Sequence, residues 1–401
     1  MPATIVIIIA ALSFIALIKL KTPLGASFLI CGVIVAIFGG MPVLEQLKTI
    51  GRGLIAYDTL RLVGIVYMIT LMGILLSNSG ALTRTVGNLK TLIPNEKISM
   101  VVPASLIGLL PMPGGAMLSA PMVEEGAKKF DLSNEYLTYL NFWFRHLWEY
   151  IWPLYPGIIL SSALLDQPVG VLIGAMWPLT ISAIISGWFF ALRPLESVEQ
   201  SQRSRTGKFK VFIDFIKVTW YIWVVIIFVL GFGVEILGVI AICVLLMLLT
   251  MKKKPREKVG FLKKAFGWRV LTMVAGVMIF KGLLENSGIL ERLTEELAVV
   301  PPEMLLFAVP FAVGILTGIN SAYIGLGFPI LVPFIMQNGF DPGAFAFAYG
   351  SGFLGVLISP VHLCLLLTKQ YFHAEWKGIY KKLLPTAFCA FAVAILLLIF
   401  R

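Results

Sequence analysis

Charge is scarce in this sequence of 401 residues: Asp, Glu, Lys and Arg supply 13% of it and apolar types 59%. Soluble globular chains carry roughly 25% charged residues, so an ordinary soluble domain is excluded and the chain reads as embedded in a bilayer. Cysteine is equally sparse. Cys31, Cys243, Cys364 and Cys389 stand singly in apolar runs without CxxC spacing, which excludes a disulfide framework and leaves no metal or other cofactor expected. No HExxH motif occurs and no apolar run contains an aspartate, so metalloprotease and aspartyl-protease chemistry lack their groups. Ser351 and His362 lie on one segment around Pro360 rather than on facing helices, which leaves an intramembrane enzyme as a remote alternative only. The net charge of +11 sits in short loops between apolar runs, as an orientation signal rather than a nucleic-acid footprint. No basic residue precedes the run from Ile5 to Ile18, while Lys19 and Lys21 follow it. That polarity opposes a cleavable signal peptide and marks a retained first span with its N-terminus outside.

What is present is apolar sequence in spanning lengths. Ten runs qualify, and the expected fold is an all-α polytopic membrane protein of about ten transmembrane helices. Two stretches resist that reading. Ile98 to Glu125 carries Pro103, Pro111, Pro113 and Pro121 with Gly108, Gly114 and Gly115; Glu303 to Met336 carries Pro310, Pro329 and Pro333 around Gly318, Asn320 and Ser321. A helical arm of roughly 11 residues rises about 16 Å, half of a hydrocarbon core about 30 Å thick. Both stretches therefore read as re-entrant hairpins whose tips reach the midplane, the alternative being proline-kinked spans. Charge placement favours the hairpins. With ten spans, 25 of the 32 Lys and Arg fall on the cytoplasmic side and five outside, namely Lys48, Arg52, Arg61, Arg292 and Arg401. That asymmetry collapses if one hairpin crosses. The reading puts both termini outside a cell membrane.

Leu75 to Leu82 reads LLSNSGAL and Leu283 to Leu290 reads LLENSGIL, six identities in eight at an offset of 208. Near the same offset Val102-Pro103 meets Val309-Pro310, Pro153 meets Pro360, and Phe130-Asp131 meets Phe340-Asp341. Two similar halves are expected, each with five crossings and hence of inverted topology. The units are a scaffold in residues 1–97, a transport unit in 98–192 with hairpin 98–125 and interrupted helix 134–165, and a charged cytoplasmic linker in 193–217. A second scaffold follows in 218–302, then a second transport unit in 303–401 with hairpin 303–336 and interrupted helix 343–368. Ala81 to Ile93 and Ile289 to Val299 read as amphipathic surface helices or as polar loops.

Ionisable residues inside a bilayer are costly and commonly functional. The interrupted span of the first half holds a cluster, Arg145, His146 and Glu149. Arg145 and Glu149 lie four apart, on one helical face, so they form either a structural ion pair or a working pair. In the second case Arg145 contacts a carboxylate through its fork of donors, and Glu149 or His146 takes the coupling proton. At the hairpin tips and helix breaks, free backbone N–H groups and helix dipoles favour anions, and unwound carbonyls can hold sodium. Pro113, Gly114, Gly115, Gly318, Asn320, Ser321, Ser351 and Gly352 are the substrate-side candidates, and Ser359 and His362 join the coupling-ion candidates. His362 also fits a satisfied buried histidine.

The segments PMPGGAMLSAP, GINSAYIGLGFP, WEYIWPLYPG and YGSGFLGVLISP resemble the ion transporter superfamily, which includes gluconate permeases, citrate and C4-dicarboxylate carriers and related antiporters. The resemblance covers nearly the whole chain and is closest to an integral-membrane branch near the gluconate permeases. It implies an elevator mechanism in a homodimer, a small organic anion as substrate, and coupling to protons or sodium. A cation:proton antiporter is the alternative within that group. Sodium-coupled dicarboxylate carriers bear Ser-Asn-Thr at both tips. Here one tip offers Asn320 and Ser321 followed by alanine, and the other Pro113, Gly114 and Gly115, a departure that leaves the coupling ion open.

Overall fold

A computed structural model describes residues 1–110, 115–196 and 207–401. Among them the chain is helical throughout, with no strand, as expected where backbone groups must bond within their own segment. The first half runs α1 (Ala3–Lys19), α2 (Leu24–Phe38), α3 (Val43–Ile55), α4 (Tyr57–Ser79), α5 (Ala81–Leu92), α6 (Glu96–Gly108), α7 (Gly115–Ala127), α8 (Asn134–Arg145), α9 (Pro156–Leu165) and α10 (Val169–Gly187). The second runs α11 (Lys208–Val218), α12 (Trp220–Val225), α13 (Ile236–Thr250), α14 (Pro255–Ala265), α15 (Trp268–Asn286), α16 (Ile289–Glu296), α17 (Pro302–Thr317), α18 (Asn320–Ile335), α19 (Pro342–Ile358), α20 (Leu363–Phe372) and α21 (Trp376–Ile399). Large apolar side chains face outward, among them Ile242, Leu245 and Leu249 on α13 and Phe388, Leu396 and Ile399 on α21, so the molecule is built for lipid.

Ten spans are expected, but four helical stretches meet the length and composition of a span by themselves: Tyr57–Ser79, Val169–Leu192, Pro342–Phe372 and Trp376–Ile399. Two bent pairs raise this to six, Lys208–Val218 with Trp220–Gly231 at 62° and Leu271–Asn286 with Ile289–Val299 at 71°. The other apolar helices, α1, α2, α9, α13, α17 and α18, have 10–17 residues, short of the roughly 20 that a perpendicular span needs.

The repeated LLxNSGxL motif has a local cause. Gly80 at φ +73° and Gly288 at φ +67° take the left-handed conformation just after α4 and α15, which a residue with a Cβ adopts at a cost. Each glycine stops a long helix and turns the chain into a short amphipathic one, α5 or α16. The polar-loop reading of these stretches is thereby set aside, and α16 buries Ile289 and Leu293.

Two helices escape the hydropathy pattern. α3 and α14 are amphipathic, with Glu45, Lys48 and Arg52 on one and Glu257, Lys263 and Lys264 on the other. The linker also differs from expectation. Its residues 197–206, with Arg203 and Arg205, lie outside the described residues, and its last part begins α11, which packs on α5. There Arg84 Nη2 stands 2.5 Å from Asp214 Oδ1 and Asn88 donates to Asp214 Oδ2 at 2.8 Å.

Helix bounds recur near the offset of the sequence motif, with Pro156–Leu165 answering Leu363–Phe372. The packing pairs exchange accordingly. α2 lies on α15 and α13 on α4; α3 lies on α15 and α14 on α4; α7 lies on α20 and α18 on α9. α10 packs on its own counterpart, α21, where Ser182 Oγ donates to Ala390 O at 3.1 Å. Helices α6 to α10 and α17 to α21 make one body around the site. α1 to α4 and α13 to α15 make another, touching the first through α1 on α17, α2 and α15 on α18, and α4 on α9.

Candidate functional site

Helix ends that meet inside the molecule deliver the site. α8 ends at Arg145, His146 follows as its cap, and Leu147–Tyr150 is a single 3-10 turn before α9 starts at Pro156. In the second half α17 ends at Thr317, Gly318 takes φ +65°, and α18 starts at Asn320. α19 ends at Ile358 and α20 starts at Leu363. The free ends meet around a cavity of about 240 Å³ lined by Arg145, His146, Glu149, Gly318, Asn320, Ser321, His362 and Cys364, with Tyr155, Pro156, Gly157 and Ile319. The starts of α9, α18 and α20 therefore face one space, and their positive dipole ends favour an anion there.

Each charged or polar group is held from a different element. Glu149 Oε2 accepts from Asn320 Nδ2, joining the break of the first half to the tip of the second. Its backbone oxygen accepts from Tyr349 Oη at 2.9 Å. Glu149 Oε1 lies 3.7 Å from His146 Nε2. Asn320 Oδ1 is buried with no hydrogen-bond partner among the described residues. His146 Nδ1 is 2.6 Å from Phe142 O and His362 Nδ1 is 2.7 Å from Gly318 O, while the two Nε2 atoms stand 3.2 Å apart. Tyr155 Oη donates to Gly108 O at the end of α6.

The sequence-level candidates divide. Arg145, His146, Glu149, Gly318, Asn320, Ser321 and His362 line one cavity, from positions far apart in the chain. Arg145 and Glu149 do not share a continuous α-helix, because the helix stops between them. Gly115 starts α7 against Arg145, where an added Cβ would lie 2.5 Å from Nη2. Pro113 and Gly114 lie outside the described residues. Ser359 is one step removed, its Oγ donating to Ile315 O at 2.7 Å beneath Gly318.

Ser351 and Gly352 are corrections. They lie inside the unbroken α19 and do not line the cavity, because the break falls later, at 359–362. Ser351 Oγ donates to Phe347 O within its own helix. A Cβ on Gly352 would run into the Tyr323 ring, and those on Gly314 and Gly355 would strike backbone of the facing helix, so these glycines let α17 and α19 approach closely. Cys364 and Tyr155, which are not among those candidates, also line the cavity. The signal that finds them is the repeat itself, since the break at Tyr155 to Gly157 answers the one at His362 to Cys364.

Fold and site together define an all-helical, membrane-embedded protein with an open cavity at the ends of broken helices, its lining including Arg145, His146 and Glu149. The chain belongs to the DUF401 family, described as a protein of unknown function, whose model matches residues 4–400. Comparison with curated proteins gives no significant match.

Proposed function

We propose that this protein is a secondary transporter that carries a small organic anion, a carboxylate or sugar acid, by elevator-type alternating access driven by a proton or sodium gradient. The observation that carries the reading is the cavity. Helix starts from both halves, Arg145 and the buried, unpartnered Asn320 Oδ1 line one outward-opening cavity, where free backbone N–H groups and a guanidinium suit a small anion. In this reading α6 with α7 and α17 with α18 are re-entrant hairpins entering from opposite faces, and the halves are inverted repeats, an arrangement with a site near the midplane that recurs among secondary transporters. Exchange of the packing pairs between halves supports it. An apolar cleft of about 270 Å³ between α1 and the α17 to α18 hairpin lies on the boundary along which the transport unit would slide against the scaffold, in a homodimer within the cell membrane. The cation:proton antiporter alternative is weaker here, because Glu149, the carboxylate of the cavity, is engaged by Asn320 and shares the wall with a cation.

The direct test is a thermal-shift screen of the purified protein against small carboxylates and sugar acids, with and without sodium, since a ligand of the folded state raises apparent stability. At least one such anion is expected to stabilise the protein and to accumulate in proteoliposomes. Proton coupling then requires accumulation to collapse with a protonophore, and sodium coupling requires it to persist while a sodium gradient is imposed. No stabilising anion across the set, or uptake indifferent to both gradients, sinks the reading.

Topology is checked separately. With the exposed Cys389 replaced by serine, the other three cysteines being buried, a cysteine at Lys128 is expected to label from the cytoplasm only. One at Asn338 is expected to label from outside only; Asn338 is chosen because Asp341 caps α19 through Ala344 N. Labelling of both from one side removes the inverted repeat.

A further inference from the structure

We propose that His146, His362 and Cys364 form a binding site for one divalent metal ion of the zinc class. The chain has three histidines, and two of them, 216 residues apart, point their Nε2 atoms at each other across 3.2 Å. Each Nδ1 is already committed to a backbone carbonyl, Phe142 O for His146 and Gly318 O for His362. A carbonyl oxygen only accepts, so both Nδ1 atoms carry the proton and both neutral Nε2 atoms present lone pairs. Two lone pairs aimed at one point repel unless something electropositive lies between them. Donation of the other ring N–H to a backbone carbonyl is also the usual outer arrangement of a metal-bound histidine, fixing tautomer and ring orientation.

The distances suit a metal. Two nitrogens about 2.0–2.1 Å from a tetrahedral zinc stand about 3.3 Å apart, close to the 3.2 Å observed. Cys364 Sγ is the third donor; it and the two ring nitrogens all lie within 4.8 Å of one another. Two imidazoles and a thiolate select zinc, cobalt or nickel over magnesium or calcium, which take oxygen ligands. All three residues line the cavity, so a fourth coordination position is open to a small ligand, as in zinc sites that bind exogenous groups. Charge balance also holds. A divalent ion, the Cys364 thiolate, the Glu149 carboxylate and the Arg145 guanidinium sum to a single positive charge, which an anion in the cavity would neutralise. The metal site does not depend on the transport reading, because its occupancy is measured without substrate or gradient.

The test uses the full chain, purified without metal-affinity resin, stripped with a chelator and reloaded with zinc or cobalt. One zinc per chain is expected, with a zinc-dependent rise in melting temperature. Cobalt is expected to give the ligand-field spectrum of a tetrahedral site and a thiolate-to-cobalt charge-transfer band. Loss of a mere supporting hydrogen bond costs roughly 10- to 100-fold in metal affinity, so His146→Gln and His362→Gln are expected to cost at least that. Cys364→Ser should remove the charge-transfer band, and Cys243→Ser, on α13, should leave it. Should a histidine variant fail to fold, the wild-type stoichiometry and cobalt spectrum decide alone. Zinc content far below one per chain overturns the proposal, as does cobalt bound without the thiolate band. A shared proton between the histidines would give the first of those results.

Discussion

Gly318→Ala is expected to abolish anion uptake while the protein remains monodisperse in detergent. Gly318 holds φ +65°, and a Cβ there would lie 2.7 Å from His362 N and 2.8 Å from its Cα. Left-handed backbone alone costs a residue with a Cβ about 1–2 kcal/mol. The close neighbours are backbone atoms, which cannot swing aside as a long side chain would, so the tip must move. Moving it withdraws Gly318 O from His362 Nδ1 and carries Asn320 away from Glu149, two of the contacts that close the cavity between the halves. Gly115→Ala is the milder companion, because what its Cβ meets is the Arg145 guanidinium, which can shift at the expense of its position in the site. Gly170→Ala serves as the control, with nothing within 4 Å of its added Cβ, and should transport like the parent. Normal uptake by the Gly318→Ala protein would show that the tip geometry is immaterial and would move the substrate site elsewhere.

How much of this was legible in the chain depends on whether the cause is local. Short helices interrupted by proline and glycine announce themselves in one segment, and so does the NSG motif, whose glycine is required by a left-handed turn. α3 and α14 do not, because a search for apolar runs passes over helices whose polar faces carry Glu45, Lys48 and Arg52 or Glu257 and Lys263. Ser351 and Gly352 misled for the opposite reason. Glycine is used both to unwind a helix and to let two helices touch, and only the position of the break distinguishes the uses. The meeting of His146 with His362 was beyond the reach of spacing arguments altogether. The repeat offset carries His146 onto a position near Phe353, not onto His362, so the cluster breaks the internal symmetry and arises from packing alone.

That asymmetry makes the charges of the first half the sharpest test. Arg145 and Glu149 are both buried and line one cavity, and leaving one buried charge without its counterpart costs about 3 to 5 kcal/mol. Arg145→Gln and Glu149→Gln are each expected to lower the melting temperature and to stop uptake. The glutamine at 149 can still accept from Asn320 Nδ2, so its loss of stability would reflect the uncompensated Arg145 rather than a broken hydrogen bond. The double variant, Arg145→Gln with Glu149→Gln, removes both charges and is expected to recover most of the stability. What it should not recover is the stabilisation by the anion, because the guanidinium that fixes the carboxylate would be gone. Measured by thermal shift, a double variant that is stable yet blind to the anion places Arg145 in the binding site. A double variant that regains both stability and the anion response would mean that the two charges serve only each other, and that the carboxylate is held by the helix starts alone.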